Sequence, residues 1–297
     1  MTGLATRIGP DPAFRWPVGY RAAAAFTFDV DAESAILADT PAAAGRLSVM
    51  SHQAYGPRTG VPRILRILDR HAIRATFFIP GYTADRWPDT VRAIRDAGHE
   101  IGHHGYLHEQ VSIVPPEEEE RLLLRGLEAL DRVAGVRPVG WRAPTWEASY
   151  ASPAILARHG FRYDSSLMDA DQPYLLGTGH EPGAPHIVEL PIHWGQDDWE
   201  QYVYLPGLSG SGLIESPAKV LELWTLELDA LVAEGGLFVL TNHPFASGRP
   251  SRAATLERII EHARRIDGLW IAAAADIAAH VETLALEPVV HDRPDPS

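Results

Sequence analysis

The chain has no cysteine, which excludes disulfide bonds, thiolate nucleophiles and cysteine zinc sites together. Basic side chains are few: 26 Lys and Arg stand against 39 Asp and Glu, giving a net charge of −13. Such an acidic chain repels phosphate backbones and anionic lipids, so neither nucleic acid nor a membrane surface is an expected partner. Any metal in this protein must therefore be bound by histidine and carboxylate side chains.

Long apolar runs are also missing. The most apolar windows, RAAAAFTF and LWIAAAADIAAHV, are too short or too interrupted to span a bilayer. No basic segment followed by an apolar stretch opens the chain, so no secretory signal is visible and we expect a cytoplasmic protein. The 297 residues, 45% of them hydrophobic, allow one large domain or two small ones, and a single α/β barrel fits this length.

Short apolar runs alternate with helical patterns along the chain. The predicted strands are 21–31, 73–81, 99–105, 139–144, 161–167, 186–194, 236–244 and 269–277, and the predicted helices are 61–71, 88–98, 115–135, 151–159, 216–236 and 255–266. This alternation predicts a parallel sheet in an α/β fold. The segments 29–60 and 169–185 have the composition of long, turn-rich loops, which usually carry function.

Five polar clusters directly follow predicted strands. They are Asp29 with Asp31, His104 with His108, Arg142, Asp164 and His243. In parallel α/β folds the carboxyl ends of the strands meet on one face, so we expect these side chains to converge there. That combination is typical of a metal-dependent hydrolase. A residue that only caps a strand or a turn remains the alternative at each single position.

The spacing within the first two clusters favours a metal site. Asp29 and Asp31 alternate at a strand end, so their carboxylates point the same way, which suits one metal ligand and one general base. His104 and His108 are four residues apart and can reach a common ion. Two histidines and one aspartate leave a position open for water, as in catalytic zinc sites.

The remaining clusters supply candidates for proton transfer and substrate binding. His243 follows an apolar strand and is a candidate general acid for a leaving nitrogen. Arg142 is a candidate partner that keeps a base carboxylate ionised. The residues expected to line the substrate pocket are Trp146, Asp164, Trp194 and Asp198. The sequence leaves open whether His52, Tyr55 and Arg58 also shape it.

A competing motif overlaps the histidine cluster. The segment His99–His103 matches the HExxH pattern of zinc proteases, in which both histidines lie on one face of a helix. Gly98 ends the preceding helix, and Gly102 and Gly105 would fall inside the new one, where each interior glycine costs roughly 1 kcal/mol relative to alanine. We therefore predict a strand that runs into a loop, with the protease helix as the alternative.

Taken together, these motifs resemble those of the polysaccharide deacetylase family (carbohydrate esterase family four). The matching segments, in the family's order, are TFDVD (27–31), HGYLH (104–108), WRAP (141–144), DSSL (164–167) and LTNHP (240–244). The resemblance implies a distorted (β/α) barrel of about seven parallel strands. We expect a single catalytic domain over 21–285, an N-terminal extension over 1–20 and a C-terminal tail over 286–297.

The resemblance also implies roles for individual residues. It implies that Asp31, His104 and His108 bind a divalent metal, with zinc as the first candidate. It implies that Asp29 is the general base, oriented by Arg142, and that His243 is the general acid. Val30 separates two acids that are adjacent in the common family motif, so the division of roles between Asp29 and Asp31 stays open at this point.

The expected activity is metal-dependent hydrolysis of non-peptide carbon–nitrogen bonds in a small molecule or a carbohydrate. The DVD spacing and the WGQDDW segment are similar to the branch with peptidoglycan deacetylases, cyclic imide hydrolases and allantoinase-like enzymes, whose members often form tetramers. The resemblance therefore implies a homo-oligomer. Removal of an N-acetyl group from an amino sugar and opening of a cyclic imide or ureide are competing activities. A non-catalytic carbohydrate-binding relic of the fold is the third alternative.

Overall fold

A computed structural model describes residues 11–208 and 212–295 of the chain. The strands in these ranges are β1 (Ala22–Asp29), β2 (Thr76–Ile79), β3 (Glu100–His103), β4 (Gly140–Trp141), β5 (Tyr163–Asp164), β6 (Tyr174–Gly177), β7 (His186–Glu189), β8 (Leu237–Asn242) and β9 (Leu269–Ile271). The α-helices in the same ranges are α1 (Ser34–Asp39), α2 (Leu47–Tyr55), α3 (Val61–His71), α4 (Gly81–Arg86), α5 (Pro88–Asp96), α6 (Pro116–Ala134), α7 (Ser152–Arg158), α8 (Asp198–Tyr202), α9 (Pro217–Glu234), α10 (Pro244–Ser247), α11 (Pro250–Ala263) and α12 (Ala274–Val281).

The strands form one curled sheet in the order β6-β7-β5-β4-β3-β2-β1-β8, and β9 pairs with the start of β1. Every strand pair in the described residues is parallel except β6–β7. A bridge between Asp197 and Thr241 joins the segment after β7 to β8. The predicted distorted (β/α) barrel is confirmed as a curled half-barrel. The described sheet has nine strands rather than about seven, because β6 adds an antiparallel strand and β9 is a separate short one.

The central strand β1 explains the direction of the site residues. It is buried along its whole length between β8 on one side and β2 and β9 on the other. Ala24, Phe26 and Phe28 pack in the same apolar cluster as residues of α3, α9 and α11, while Ala23 and Ala25 pack with residues inside the barrel. Since side chains alternate along a strand, the odd-numbered residues of β1 point into the barrel.

Helix ends agree with the local sequence signals. Helix α6 begins at Pro116, carries acids in its first turn and ends at Ala134, and the following Gly135 has a left-handed φ of 63°. Helix α9 begins after Ser216, whose side chain accepts a hydrogen bond from the Ala218 amide. The prediction of α3 over 61–71 is confirmed residue for residue.

The prediction of long loops over 29–60 and 169–185 was wrong. The first segment contains α1, α2 and a π-helical turn over Gly56–Gly60, and the second contains β6. These elements depend on tertiary packing rather than on local propensity. Gly60 shows why: a Cβ at this position would collide with the backbone carbonyl of Pro244, so only glycine lets the π turn pack against α10.

Residues near both predicted domain boundaries contact the sheet or its helices. Phe14 is buried, and the Trp16 indole donates a 2.8 Å hydrogen bond to the Gly235 carbonyl. In the C-terminal segment, Val289 pairs with Leu176 of β6. The domain boundaries at 20 and 285 stay predictions. No helix in the described part of the chain has the length and apolarity needed to cross a membrane.

Candidate active site

The chemistry-bearing side chains converge at the carboxyl ends of neighbouring strands. Asp29 ends β1 and Asp31 follows it, His104 and His108 follow β3, Arg142 follows β4 and His243 follows β8. Four of the five strands in the row β4-β3-β2-β1-β8 therefore contribute to one cluster. The structure brings together all six of these residues.

Three of the residues form a compact group around one point. Asp31 Oδ1 lies 3.6 Å from His104 Nε2, and Asp31 Oδ2 lies 3.7 Å from His108 Nε2. One ligand atom from each of the three residues lies within 4.8 Å of the others. Ligand atoms 2.0–2.1 Å from a tetrahedral ion are about 3.4 Å apart, so the spacing is that of a metal-binding triad.

The local backbone orients the two imidazoles of this triad. His104 Nδ1 lies 2.8 Å from the Arg142 carbonyl and donates to it, which leaves Nε2 as the binding atom. His108 has a left-handed φ of 64°, and its ring lies edge-on to that of His104 at 5.0 Å. Burial lowers the pKa of His108 well below its usual range. His108 is therefore a neutral imidazole, the form that binds metal.

The environment of the Asp31 carboxylate is the feature of the site that best fits a bound cation. It is 1% exposed, and neither carboxylate oxygen has a hydrogen-bond partner among the described residues. Burial raises the pKa of Asp31, and His243 and His104 only partly oppose this. A buried carboxylate without hydrogen bonds is costly, and a bound cation would supply the missing interaction.

Asp29 has the opposite environment, which separates the roles of the two acids. Its Oδ1 accepts a 2.9 Å hydrogen bond from Arg142 Nη1, and its Oδ2 lies 3.9 Å from His104 Nε2 without a hydrogen bond. Burial alone would raise the pKa of Asp29, but Arg142, His104 and His243 together lower it. Asp29 is thus an ionised carboxylate with one oxygen free to accept a proton.

Arg142 is completely buried and is held from several sides. Nη1 also donates to Thr27 Oγ1 at 2.9 Å and to Thr241 Oγ1 at 3.2 Å, while Nε and Nη2 each donate to Ser165 at 3.0 Å. The guanidinium lies 4.2 Å over the Phe78 ring. Sequence reasoning missed these partners. Thr27 was recoverable, because it lies two residues before Asp29 on the same strand face.

His243 is oriented by the start of α8. Asp198 Oδ1 accepts from His243 Nδ1 at 2.7 Å and from the His243 backbone amide at 2.8 Å, and Asp197 Oδ1 lies 3.3 Å from Nδ1. His243 Nε2 faces the metal triad, 3.5 Å from Asp31 Oδ2. Burial alone would lower the pKa of His243, but Asp197 and Asp198 raise it well above its ordinary value.

The four residues predicted to bind substrate lie in different environments. Trp146 stacks on Trp194 at 4.4 Å and 17°, and Trp194 remains 41% exposed. Asp198 is buried and bonded to His243, and its Oδ2 accepts from the Ser247 amide. Asp164 is also buried, with Oδ1 accepting from the Ser165 amide and Ser166 Oγ. Substrate contact by these four residues stays a prediction.

The residues left open at the sequence level surround α10 and α4. His52 lies edge-on to Phe245 at 5.2 Å, and Tyr55 donates to the Gly248 carbonyl at 3.3 Å. Arg58 lies 5.2 Å over the ring of Trp87. His52 and Tyr55 thus support the short helix that follows His243.

The HExxH interpretation was wrong. Glu100–His103 is strand β3, so His99 and His103 do not share a helical face. His103 is buried and bonded to the Leu123 carbonyl, and His99 accepts from the Ala75 amide. Glu100 is bonded to Thr76 and two other partners inside the barrel. These three residues have structural roles.

The chain is similar in sequence to known deacetylases. Residues 49–163 match the family model described as polysaccharide deacetylase. A peptidoglycan deacetylase of Helicobacter pylori is 30% identical over 245 residues, covering 75% of this chain and 84% of that protein.

Two solved structures extend the similarity to the fold. A crystal structure from Mycobacterium smegmatis, described as a polysaccharide deacetylase, is 52% identical with a TM-score of 0.93, covering 97% of this chain and all of that one. An allantoinase structure is 27% identical with a TM-score of 0.77, covering 93% of this chain and 94% of that one. The motif order, the barrel and these relatives agree, and the chain belongs to the polysaccharide deacetylase family.

Proposed function

We propose that this hydrolase cleaves the carbon–nitrogen bond of a small amide, with Asp29 as general base and His243 as general acid. One observation supports this assignment above the others. The Asp29 carboxylate, which has one oxygen without a hydrogen bond, and the His243 imidazole, which Asp198 holds through Nδ1, flank the same Asp31–His104–His108 triad. Amide hydrolysis needs these two proton transfers, one from the attacking water and one to the leaving nitrogen.

Asp29 prepares the attack. Arg142 keeps its carboxylate ionised and fixed through Oδ1, so Oδ2 accepts the proton of a water positioned between Asp29 and the triad. The surrounding Thr27, Thr241 and Ser165 hold Arg142 in place. The base therefore needs little reorganisation during the reaction.

Asp31, His104 and His108 would hold a divalent metal, and zinc is our first candidate because two imidazoles and one carboxylate leave a position open. Such an ion, when bound, polarises the amide carbonyl and lowers the pKa of water. The donor set fits: Asp31 has two buried oxygens without hydrogen bonds, and His104 Nε2 is the free ring nitrogen.

His243 completes the reaction. Asp198 holds its Nδ1–H, so the protonated Nε2 side faces the triad and can donate to the departing nitrogen. The C–N bond breaks as the nitrogen takes this proton, which avoids the expulsion of an amide anion. Asp197 and Asp198 keep the imidazole charged before the reaction, because they raise its pKa.

The burial of the site favours a small substrate. Asp29, Asp31 and His104 are each 1% exposed, His243 is 5% exposed and His108 is 9% exposed. A small molecule can be enclosed completely by such a centre, whereas a polymer also needs an open groove on either side of it. Two chemical classes fit an enclosed centre: a small N-acetylated amino sugar, and a cyclic imide or ureide. The allantoinase relative supports the ureide class, and the peptidoglycan deacetylase relative supports deacetylation as the reaction but not the small size of the substrate.

A substrate panel tests the proposal. The purified protein would be assayed with zinc for acetate release from N-acetylglucosamine and its oligomers, and for ring opening of succinimide, hydantoin and allantoin. We expect turnover of a monomeric substrate in one class and much slower turnover of the oligomers. Absence of turnover across the panel, with metal bound, would contradict the proposed function. Preference for long oligomers would contradict the small-substrate assignment.

A homo-oligomer, with the tetramer as the expected state, and a cytoplasmic location are part of the same proposal. Light scattering on the purified protein gives the mass of the assembly directly. A monomer at working concentrations would contradict the oligomer. Cell fractionation tests the location.

The stacking of Trp194 on Trp146 leads to a prediction for substrate binding. Trp194 presents one ring face to Trp146 and is 41% exposed, so its other face can contact substrate at the rim of the site. Trp194→Ala is expected to raise KM by about fivefold, since losing an aromatic contact costs about 1 kcal/mol, with kcat little changed. Steady-state kinetics measures both constants. Unchanged KM would place substrate elsewhere.

The contact between Asp198 and His243 leads to a prediction for kcat and its pH dependence. Asp197 and Asp198 both raise the pKa of His243, and Asp198→Asn removes the second of these charges, the one that accepts from Nδ1–H. We expect kcat to fall about 10–100-fold. The alkaline limb of the pH–kcat profile should move to lower pH, because the acid loses its proton sooner once its pKa falls. A profile with the same alkaline limb as the wild type would exclude this role.

A further inference from the structure

Two acidic side chains lie side by side outside the proposed catalytic cluster. Asp164 of β5 and Glu189 of β7 are paired in register on adjacent parallel strands. The preceding pair, Tyr163 and Val188, packs inside the barrel. By strand alternation, Asp164 and Glu189 point to the opposite face, which also carries Trp141. Both carboxyl groups are buried, at 1% and 0% exposure.

Hydrogen bonds from the following loop engage one oxygen of each carboxyl group. Glu189 Oε1 accepts from the backbone amides of Ser166 at 3.1 Å and Leu167 at 2.9 Å. Asp164 Oδ1 accepts from the Ser165 amide at 2.6 Å and from Ser166 Oγ at 2.5 Å. The two carboxyl groups are neighbours, because their residues are register partners on adjacent strands and both are buried. Glu189 Oε2 has no partner among the described protein donors, so the partner left for it is the Asp164 carboxyl group.

The same loop is the scaffold of Arg142. Ser165 accepts from Arg142 through its carbonyl and through its hydroxyl, each at 3.0 Å. Ser166 Oγ, which donates to Asp164, accepts from the Ala143 amide at 2.8 Å. A continuous set of hydrogen bonds therefore connects the acid pair to the guanidinium that holds Asp29.

We propose that Asp164 and Glu189 share one proton, and that this singly protonated pair positions Arg142, and through it Asp29, for the proposed hydrolysis. Two buried carboxylates in contact cannot both ionise without strong repulsion, whereas one proton between them forms a short, charge-assisted hydrogen bond. Both are positioning residues, because they act through Ser165, Ser166 and Arg142 rather than on the substrate.

The groups that face the pair support a single retained proton. Arg142 is the cation on the β4 side, and Tyr174 lies beside the pair on β6, with its hydroxyl bonded to Asp169 and near His291. Burial raises the pKa of Asp164 to about 6, although Ser166 and other hydrogen bonds lower it. Burial, followed by the charge of Asp164, raises the pKa of Glu189 well above its usual range.

Three variants test the shared proton. In Glu189→Gln the carboxamide oxygen still accepts from Ser166 and Leu167, and its NH₂ group replaces the proton permanently. In Glu189→Ala the pair is lost. In the double variant Asp164→Asn with Glu189→Gln, two NH₂ groups face each other, because the carboxamide oxygens are both engaged by the loop.

We expect Glu189→Ala to lower kcat at least about tenfold with KM changed less than about threefold, since misplacing the base affects turnover rather than binding. Glu189→Gln should restore kcat to within about threefold of the wild type, and the double variant should lose it again. Metal content is measured in each variant as a check of the fold. Equal losses in Glu189→Gln and Glu189→Ala, or a double variant as active as Glu189→Gln, would overturn the shared proton.

A second measurement needs no substrate and so separates this inference from the proposed function. Because the Glu189 pKa is raised on folding, the wild type loses stability as pH rises above the ordinary glutamate pKa of about 4.3, until the folded pKa is passed. The Glu189→Gln variant has no carboxyl group at this position, so it does not lose stability with rising pH in this way. The difference in melting temperature, variant minus wild type, should therefore increase between about pH 5 and pH 8. A constant difference across this range would contradict the inference even if the enzyme is fully active.

Discussion

Replacing Asp29 with asparagine is expected to lower kcat by about 10³-fold, within the range of positioned general bases, while metal content and substrate affinity stay near wild-type values. The carboxamide still fills the space beside Arg142, but it cannot take a proton from water. Its oxygen can keep the Arg142 Nη1 hydrogen bond, and its nitrogen then replaces Oδ2, the atom nearest to His104.

A matched control isolates the effect of the charge change. Asp89→Asn makes the same substitution at a side chain that is 98% exposed, and it should leave kcat unchanged. If Asp29→Asn retains wild-type turnover, Asp29 is not the base and Asp31 would have to take that role. A protein that binds carbohydrate without catalysis would show no turnover to lose in either form.

Replacing His243 with alanine should lower kcat for amide substrates by about 10²–10⁴-fold. The reason is the leaving group, because an amine nitrogen departs only when it is protonated. The size of the loss should therefore depend on the substrate. An activated aryl ester, whose phenolate leaves without a proton, is expected to lose much less activity than an amide in the same variant.

Comparing the amide with the ester distinguishes a general acid from a residue that only stabilises the structure of the site. Collapse of the site would lower both activities in parallel, whereas loss of a general acid lowers amide hydrolysis selectively. His180→Ala, at a side chain that is 45% exposed, serves as the surface control. Equal losses on amide and ester would contradict the assignment of His243.

Much of the fold and of the candidate site follows from local patterns. The acids of TFDVD end a continuous apolar strand, and the parallel sheet then places every strand-end cluster at one edge. The predicted helix 115–135 has its start and stop signals in its own sequence, and α6 begins and ends within a residue of them. The bounds of these elements depend mainly on residues that are close to one another in the sequence.

The interactions that are missing from the sequence reasoning are non-local. Asp198 was predicted to contact substrate, but the fold places its carboxylate against His243, 45 residues away. Glu189 lies in an apolar strand with no motif, and its contact with Asp164 depends on the register of β5 and β7. The helices within 29–60 depend on a close approach of Gly60 to Pro244 that no local propensity encodes.

The central claim is that Asp31, His104 and His108 bind one catalytic ion, and metal analysis tests it most directly. Metal content and amide hydrolysis would be measured for the purified wild type, the chelator-treated wild type and Asp31→Ala. We predict about one divalent ion per chain in the wild type, little in Asp31→Ala, and activity that disappears on chelation and returns when zinc is added. Full activity after complete metal removal, or an Asp31→Ala protein that still binds one ion per chain, would contradict the account.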